Sequence, residues 1–380
     1  MKKNRILIFL ILIFILLASS CSQDSIFYDI SFEPEPRQPI IPGGPTNMVV
    51  LRNQVFVGSR MSNTIFSYGN STGDLAWSVI PSPGAPIGEL ATDGQSLYAL
   101  LFPGGDPLRA SSVRRFNFQN MSWDSNISLD GYSIQSLFSA GSEIFVGIQS
   151  EANRQIFAIA RYDTASSSLT ILGDRTFMLT GAAMNAAGNI YLSTGGGGIY
   201  LYSGNTIFGP LTGTSGHAFS GITEVGGNIV AVTGNGYIFT DLTGQLLSYS
   251  VGVRFTGAMS IWNDPNNGYR PTLLLMGIRG RGTSVTQGYR EMLLNNGRPS
   301  YNIRVPGEGT PTSVASRATY VASIGRHPVE AILQVPDISD GGPLDYRSLA
   351  VEPGWAPPIF ASTSRSGLWA YRNGEWNAED

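Results

Sequence analysis

Lysine, histidine and cysteine are scarce in this sequence of 380 residues. Lys2 and Lys3 are its only lysines, His217 and His327 its only histidines, and Cys21 its only cysteine. A P-loop needs a lysine on the phosphates, and Schiff-base chemistry needs a lysine amine. A structural zinc site needs about four Cys or His ligands. We therefore expect no metal site and no cofactor.

Charged residues are also few, at 13% of the chain against 42% hydrophobic residues, a composition typical of a globular protein. Beyond residue 20 the chain has 21 arginines, no lysine and 27 acidic residues, a net charge of −6. This mild acidity argues against nucleic acid as a partner.

The first 20 residues have the pattern of a signal peptide. Basic residues precede an apolar run of 12 residues, Ile6–Leu17, and the small residues Ala18, Ser19 and Ser20 follow it. An uncleaved transmembrane anchor is the alternative, but it would need about 20 apolar residues. The shorter run favours a signal peptide over residues 1–20.

The segment Leu17–Cys21 resembles the lipobox of bacterial lipoproteins, in which an apolar residue and small residues precede a cysteine that becomes the diacylated N-terminus. Ala18 stands where leucine is commonest, a looser pattern similar to that of spirochaete lipoproteins. The resemblance implies an exported protein anchored in the bacterial cell envelope, on its periplasmic or surface side, by lipid on Cys21. A free reactive thiol is the alternative for this single cysteine.

Residues 21–45 are predicted to be a tether between the lipid and the folded domain. Prolines occur at positions 34, 36, 39, 42 and 45. Proline at this density favours extended chain, which would hold the domain off the membrane.

The rest of the chain, residues 46–380, repeats one β-rich unit. Its clearest copy, Gly188–Gly209, contains three short runs of β-branched and aromatic residues separated by glycine turns. The full unit is predicted to have four strands: the second begins at residues 54, 96, 143, 189, 228, 273 and 358, and a third run with aromatic residues follows it, as in Ile65–Tyr68, Ile199–Tyr202 and Leu368–Tyr371. The first six are 39 to 47 residues apart, which is the spacing of four-stranded propeller blades. We predict an all-β, seven-bladed β-propeller; a two-sheet sandwich, which needs no constant period, is the alternative.

The period fails between residues 273 and 358, where the interval is 85 residues. We interpret residues 306–357 as an irregular insertion, in which the spacing of Ser313–Val335 is compatible with a short helix on either side of Pro328. A degenerate eighth blade would also fit, and a count of six stays open.

The segment Thr72–Trp77, with sequence TGDLAW, resembles the quinoprotein-type propeller repeat, in which a glycine turn leads to a tryptophan that docks against the next blade. Phe116–Trp123 is a looser copy. The resemblance implies a propeller architecture. It does not imply a quinone cofactor, because the other units lack the motif. Trp77 and Trp123 are predicted to be packing residues.

Three local patterns are candidates for chemistry, and each has a structural alternative. Ser215 and His217 suggest a hydrolase, but a nucleophile elbow needs Gly-x-Ser-x-Gly between a strand and a helix, so we predict a loop between blades. Asn263–Gly268 has oxygen ligands that calcium could use, although its spacing misses the EF-hand pattern and Asx-rich turns need no metal. Gly195–Gly198 is predicted to be a blade turn, because no helix follows that could bind phosphate.

Six arginines lie between Pro265 and Gly307, against Glu291 as the one acid there. Guanidinium groups bind carboxylates and phosphates in bidentate fashion, so this stretch is a candidate site for an anionic ligand or partner. The alternative is pairing with the acidic stretch Val329–Pro353. The six residues are Arg270, Arg279, Arg281, Arg290, Arg298 and Arg304.

Together these features predict a membrane-anchored propeller that binds or scaffolds a protein or ligand and is not an enzyme. Propellers bind ligands at the central channel or across one face. A propeller enzyme acting on glycans or cell-wall material stays open, because distant carboxylates can pair in a fold. A third reading, from similarity to lipoprotein propellers of outer-membrane biogenesis, is an envelope-assembly scaffold.

Overall fold

Short β-strands are the regular elements of the part of the chain that the computed structural model describes. These residues belong to one unit, Pro39–Glu379; the second unit, Met1–Gln38 with Asp380, lies outside the described residues. The described residues are 41, 45–52, 54–69, 77–103, 111–164, 166–175, 177–225, 227–241, 246–250, 254–262, 272–279, 288–295, 298–304, 329–334, 359–363, 367–372 and 375–378.

The described strands form seven antiparallel sheets of four consecutive strands each. Sheet 1 comprises β1 (Pro45–Leu51), β2 (Gln54–Ser59), β3 (Ile65–Tyr68) and β4 (Trp77–Ile80). Sheet 2 comprises β5 (Ile87–Thr92), β6 (Leu97–Leu101), β7 (Ser112–Asn117) and β8 (Ser122–Trp123). Sheet 3 comprises β9 (Tyr132–Ala140), β10 (Glu143–Ser150), β11 (Phe157–Asp163) and β12 (Ser168–Arg175). Sheet 4 comprises β13 (Leu179–Met184), β14 (Ile190–Thr194), β15 (Gly198–Ser203) and β16 (Thr206–Phe208).

The remaining three sheets follow the same order. Sheet 5 comprises β17 (Phe219–Val225), β18 (Asn228–Thr233), β19 (Tyr237–Asp241) and β20 (Leu246–Ser250). Sheet 6 comprises β21 (Arg254–Trp262), β22 (Thr272–Arg279), β23 (Gly288–Asn295) and β24 (Arg298–Arg304). Sheet 7 comprises β25 (Val329–Gln334), β26 (Ile359–Thr363), β27 (Gly367–Arg372) and β28 (Glu375–Ala378).

The first strands of the sheets surround a common axis. Each contacts the first strand of the next sheet, in the order β1, β5, β9, β13, β17, β21 and β25, and β25 contacts β1. This is the arrangement of a β-propeller, in which each sheet buries both faces against its neighbours. The predicted all-β class and propeller arrangement are confirmed.

The strand predictions within the repeat are also confirmed. The second strands β2, β6, β10, β14, β18, β22 and β26 begin within one residue of the positions predicted from the sequence. The predicted third runs correspond to β3, β7, β11, β15, β19, β23 and β27. These strands are central in their sheets, and most residues of β2, β6, β10, β14 and β18 are buried, which makes the apolar pattern strong.

The segment interpreted as an insertion contains the first strand of sheet 7. β25 lies at Val329–Gln334 and pairs with β26, with Ile332 opposite Ala361. The predicted helix after Pro328 is therefore wrong for these six residues, because pairing with a strand about 30 residues further along outweighs their local preference. Residues 305–328 and 335–358 lie outside the described residues.

Every first strand has a β-bulge near its start. In β5, Ile87 and Glu89 pair with adjacent residues of β6, so Gly88 is the extra residue. A bulge redirects the side chains beside it and increases the local twist. Equivalent register shifts occur at Pro45/Met48, Gln135, Thr180, Ser220, Phe255/Met259 and Glu330.

The core lies between neighbouring sheets, and one of its residues precedes the first strand. Ile41 is fully buried and packs with Val55 and Val57 of sheet 1 and with Phe360 and Leu368 of sheet 7. The predicted tether covered residues 21–45, so its described end belongs to the folded unit. The rest of the tether lies outside the described residues.

Candidate functional site

A cavity of about 410 Å³ opens at the centre of the ring. Residues of β1, β5, β9, β17 and β21, together with the start of β13 and Arg60 just after β2, line it. Because they lie mostly in the first half of each inner strand, the cavity marks the end of the channel where the first strands begin. We call it the mouth cavity. Its polar lining residues are Asn47, Arg60, Glu89, Gln135, Ser136, Thr180, Ser220 and Thr256.

The bulges of the first strands place polar side chains at this end of the channel, where three of them bond to the next inner strand. Asn47 donates from Nδ2 to the Leu90 carbonyl at 2.6 Å, and Leu90 N donates to Asn47 Oδ1 at 2.7 Å. Leu137 N donates to Glu89 Oε2 at 2.6 Å. Ser136 Oγ donates to the Leu179 carbonyl at 3.0 Å. These bonds tie sheets 1 to 4 together around the mouth.

Glu89 is the only carboxylate in the described lining of the mouth cavity. Burial raises the pKa of Glu89 from 4.5 to about 7, since removing water from a carboxyl disfavours its charged form. The hydrogen bond from Leu137 N and the positive charge of Arg60 lower this pKa, but by less than burial raises it. Glu89 therefore changes its charge near neutral pH.

Most of the other polar groups around the cavity are already used within the protein. Gln135 Nε2 donates to Ser133 Oγ at 2.8 Å, and the hydroxyls of Thr180 and Ser193 are 3.2 Å apart. Among the described residues, by contrast, none forms a hydrogen bond with Glu89 Oε1 or an ion pair with its carboxylate. Glu89 thus keeps one oxygen for a ligand.

The mouth also has apolar residues. Met48, Phe138, Met178 and Met259 line the cavity. Around it, the mouth rim consists of Met61, Phe177 and Met178, whose residues are 78%, 39% and 38% exposed. Methionine adapts its shape to irregular partners and is common at binding surfaces. The mouth therefore combines one half-buried acid with both polar residues and adaptable methionines.

A second cavity of about 320 Å³ lies at the opposite end of the ring, between sheets 2 and 3. Asp93, Glu143, Arg161 and Asp163 line it. Arg161 Nη1 lies 3.5 Å from Glu143 Oε2, while Arg161 Nε is buried without a hydrogen bond. This charged cavity has no apolar surround comparable to the mouth rim among its lining residues.

Ser215 and His217 lie, as predicted, in the loop between β16 and β17. The His217 ring packs against the rings of Tyr237 and Phe239, with centroids 5.4 and 4.9 Å apart. Ser215 is exposed, and no hydrogen bond joins it to His217 among the described residues. The geometry gives His217 a packing role.

Gly195–Gly198 forms the turn between β14 and β15. Gly197 N donates to Thr194 Oγ1 at 3.1 Å, and this hydroxyl donates to the Gly198 carbonyl at 3.0 Å. The turn prediction is confirmed.

Trp77 and Trp123 are packing residues, as predicted. Trp77 packs against Tyr68 and against Phe360 of sheet 7, with ring centroids 5.1 and 5.4 Å apart, and so joins the last sheet to the first. Trp123 packs against Phe116 at 5.0 Å and donates from Nε1 to the Pro81 carbonyl at 2.6 Å.

The predicted anion-binding arginines are placed by backbone alone. Arg279 lies in β22, Arg290 in β23, and Arg298 and Arg304 at the two ends of β24. Arg304 is paired in register with Glu291. The side chains of these four, and all of Arg270 and Arg281, lie outside the described residues, so the anion site stays a prediction.

The remaining candidates also fall outside the described part of the chain, including Cys21, the signal peptide and Asn263–Gly268. Within the described ranges, no three His, Cys, Asp or Glu side chains are grouped so that they could hold a metal. Nor do the described residues include a helix of the length and hydropathy that a membrane crossing requires.

Sequence reasoning missed Glu89. Its one sequence signal is an acid within the apolar strand Ile87–Thr92, directly after the glycine of a bulge. Its partner Leu137 is 48 residues away along the chain.

Comparison with known proteins supports the fold and no particular function. No family model matches the sequence, and no curated protein matches it. A chain in the crystal structure of a mitotic checkpoint complex is similar in structure, with a TM-score of 0.56 and 11% sequence identity over 90% of this chain and 94% of that chain. Because 1021 solved chains match, the likeness identifies a widespread architecture, the β-propeller.

Proposed function

We propose that this protein is an exported, lipid-anchored propeller that binds or scaffolds a partner at the mouth cavity. The propeller fold suits a binding role, since its inner strands and their loops converge on one concave site. The observation that carries the proposal is the mouth itself. It combines apolar lining residues, an exposed methionine-rich rim and one carboxylate with an oxygen that no described residue bonds.

Each of the sheets 1 to 7 is, in this proposal, one blade of a seven-bladed ring. Support comes from the chain of contacts between successive first strands, which returns from β25 to β1. The rings of Trp77, Tyr68 and Phe360 and the buried Ile41 join the last sheet to the first. Burial at that junction stabilises a closed ring against an open one.

The sequence supports the membrane anchor. A basic segment, a 12-residue apolar run and small residues precede Cys21. Two acyl chains on that cysteine would give stable attachment, whereas one chain gives only marginal binding.

An enzyme that hydrolyses glycans stays a prediction with less support. Such chemistry uses two carboxylates on either side of the scissile bond. The described lining of the mouth cavity offers only Glu89.

Site-specific photocrosslinking tests the binding proposal. p-Benzoylphenylalanine would replace Met61 or Met178 at the mouth and, as matched controls, Met121 or Met184, which are 51% and 37% exposed at the opposite end of the ring. In bacteria that express the full chain, we expect discrete crosslinked products from the mouth positions. Equal crosslinking from both ends, or none from the mouth, would contradict the proposal.

A further inference from the structure

Glu89 lines the mouth cavity without an ion pair among the described residues, and the charge of Arg60 acts on it only from a distance. Among the described residues, no basic nitrogen lies within 4.0 Å of its carboxylate, and Leu137 N satisfies only Oε2. A buried carboxylate is stabilised chiefly by pairing with a cation. The cavity is therefore best complemented by a ligand that brings a positive charge to Oε1.

The apolar residues that line the cavity together with Glu89 limit what the rest of the ligand can be. Met48, Met178 and Met259, together with Phe138, are among the residues that line the same cavity. A short hydrocarbon chain that contacts such residues gains free energy by leaving water. A metal ion would instead require several oxygen ligands, and no described acidic cluster provides them.

From this geometry we propose that the mouth cavity binds a primary alkylammonium group, with the ammonium on Glu89 and the methylene chain against Met48, Met178 and Met259. The inference rests on the proposed binding function of the mouth. The ammonium belongs either to a free amine or to a lysine side chain of a protein partner, which have the same chemistry.

Arg60 is the one positively charged residue in the described lining, so it is the one group there that repels a bound ammonium. It is the other charged residue in the described lining, while β1, β9, β13, β17 and β21 contribute uncharged side chains there. Arg60 is exposed, already has an interaction partner and lies beyond ion-pair distance of Glu89. Solvent screens an exposed charge strongly, so its repulsion weakens ammonium binding less than the adjacent carboxylate strengthens it.

The titration of Glu89 gives the proposal a signature that apolar binding would lack. Only ionised Glu89 pairs with the ammonium, and its pKa of about 7 means that the ionised fraction falls as the solution becomes acidic. An alkylamine stays protonated throughout this range, as lysine does. Affinity should therefore fall about tenfold between pH 8 and pH 6.

The test is a ligand-detected NMR titration of the full chain with n-butylamine and, as its uncharged counterpart, 1-butanol. We expect saturable binding of n-butylamine and none of 1-butanol. Glu89→Gln keeps an oxygen that can accept from Leu137 N but loses the charge, so it should weaken amine binding about ten- to a hundredfold. Glu151→Gln, at an exposed glutamate outside the cavity, is the matched control and should bind as the wild type does.

Nα-Acetyl-L-lysine methylamide distinguishes the two sources of the ammonium. Tighter binding than n-butylamine points to a lysine of a protein partner, and weaker binding to a free amine. Equal binding of n-butylamine and 1-butanol, unchanged binding by Glu89→Gln, or no saturable amine binding overturns the inference. If Glu89→Gln does not fold, the affinity of the wild type for n-butylamine at pH 6 and pH 8 tests the inference instead, and an affinity that does not fall at pH 6 overturns it. If amine binding is not found but the mouth positions still give discrete crosslinks, the inference is wrong and the proposed binding function is unaffected.

Discussion

The partly buried carboxyl of Glu89 should make the folded protein less stable as the pH rises through neutrality. The pKa of Glu89 is about 7 in the folded chain and 4.5 as the reference for the unfolded chain, so between these values the folded state binds the extra proton. The free energy of unfolding therefore decreases with rising pH over this interval. Integrated over the interval, the pKa difference corresponds to a cost of about 3 kcal/mol, an upper bound because Glu89 retains some solvent contact.

Glu89→Gln removes this cost and keeps a hydrogen-bond acceptor for Leu137 N. At pH 5 the carboxyl should cost the wild type less than about 1 kcal/mol relative to the variant, because pH 5 lies only just above the unfolded-state pKa of 4.5 while the folded-state carboxyl is still protonated. At pH 8 the variant should be more stable, by up to about 2–3 kcal/mol relative to the difference at pH 5. A glutamate that costs stability at neutral pH is what a binding site would retain.

Urea unfolding followed by tryptophan fluorescence at pH 5 and pH 8 measures the effect, with Glu151→Gln as the exposed control. At each pH the variant's free energy of unfolding is compared with that of the wild type, and the change in this difference from pH 5 to pH 8 reports on Glu89. Other titrating groups cancel because both proteins have them. A difference that is the same at pH 5 and pH 8, or a variant less stable than wild type at pH 8, would refute the reasoning.

Three further predictions concern the anchor, the ring closure and the arginine-rich sheet. Cys21→Ser should release the protein from the membrane fraction and abolish fatty-acid labelling; unchanged retention would contradict lipidation. Ile41→Ala should lower the free energy of unfolding by about 2–5 kcal/mol, whereas Ile156→Ala, at a residue 38% exposed, should cost clearly less in the same urea titration. If the arginine-rich stretch binds an anionic partner, charge reversal should weaken pull-down of that partner without changing the circular dichroism spectrum, and equal recovery would leave only a structural role; the reversed residues are Arg279, Arg281 and Arg290.

The central strands could be predicted because their information is local. In the run Asn189–Ser193 and its equivalents, β-branched and aromatic residues end at a glycine or polar turn, and buried central strands need that composition wherever they lie in the ring. The turn at Gly195–Gly198 was predictable for the same reason. Its conformation depends on glycines and on Thr194 within the same few residues.

The first strands were harder to predict because their pairing is not local. Val329–Gln334 contains good helix formers and becomes a strand through pairing with β26, far along the chain. The bulges also have no fixed sequence signature, since the extra residue is Gly88 in one strand and Gln135 in another. Their positions follow from the register against the second strand.

The sequence by itself determined the β-rich repeat, its period, the turns and the scarcity of lysine, histidine and cysteine, since these depend on composition and on neighbours within a few residues. Only the tertiary structure decided that Glu89 lies beside Leu137, that methionines from separate strands share one cavity, and that Ile41 fills the junction between the last sheet and the first. The physical reason is that closing the ring brings together residues tens to hundreds of positions apart. Desolvation of a carboxyl, which gives Glu89 its pKa near neutrality, arises only once they meet.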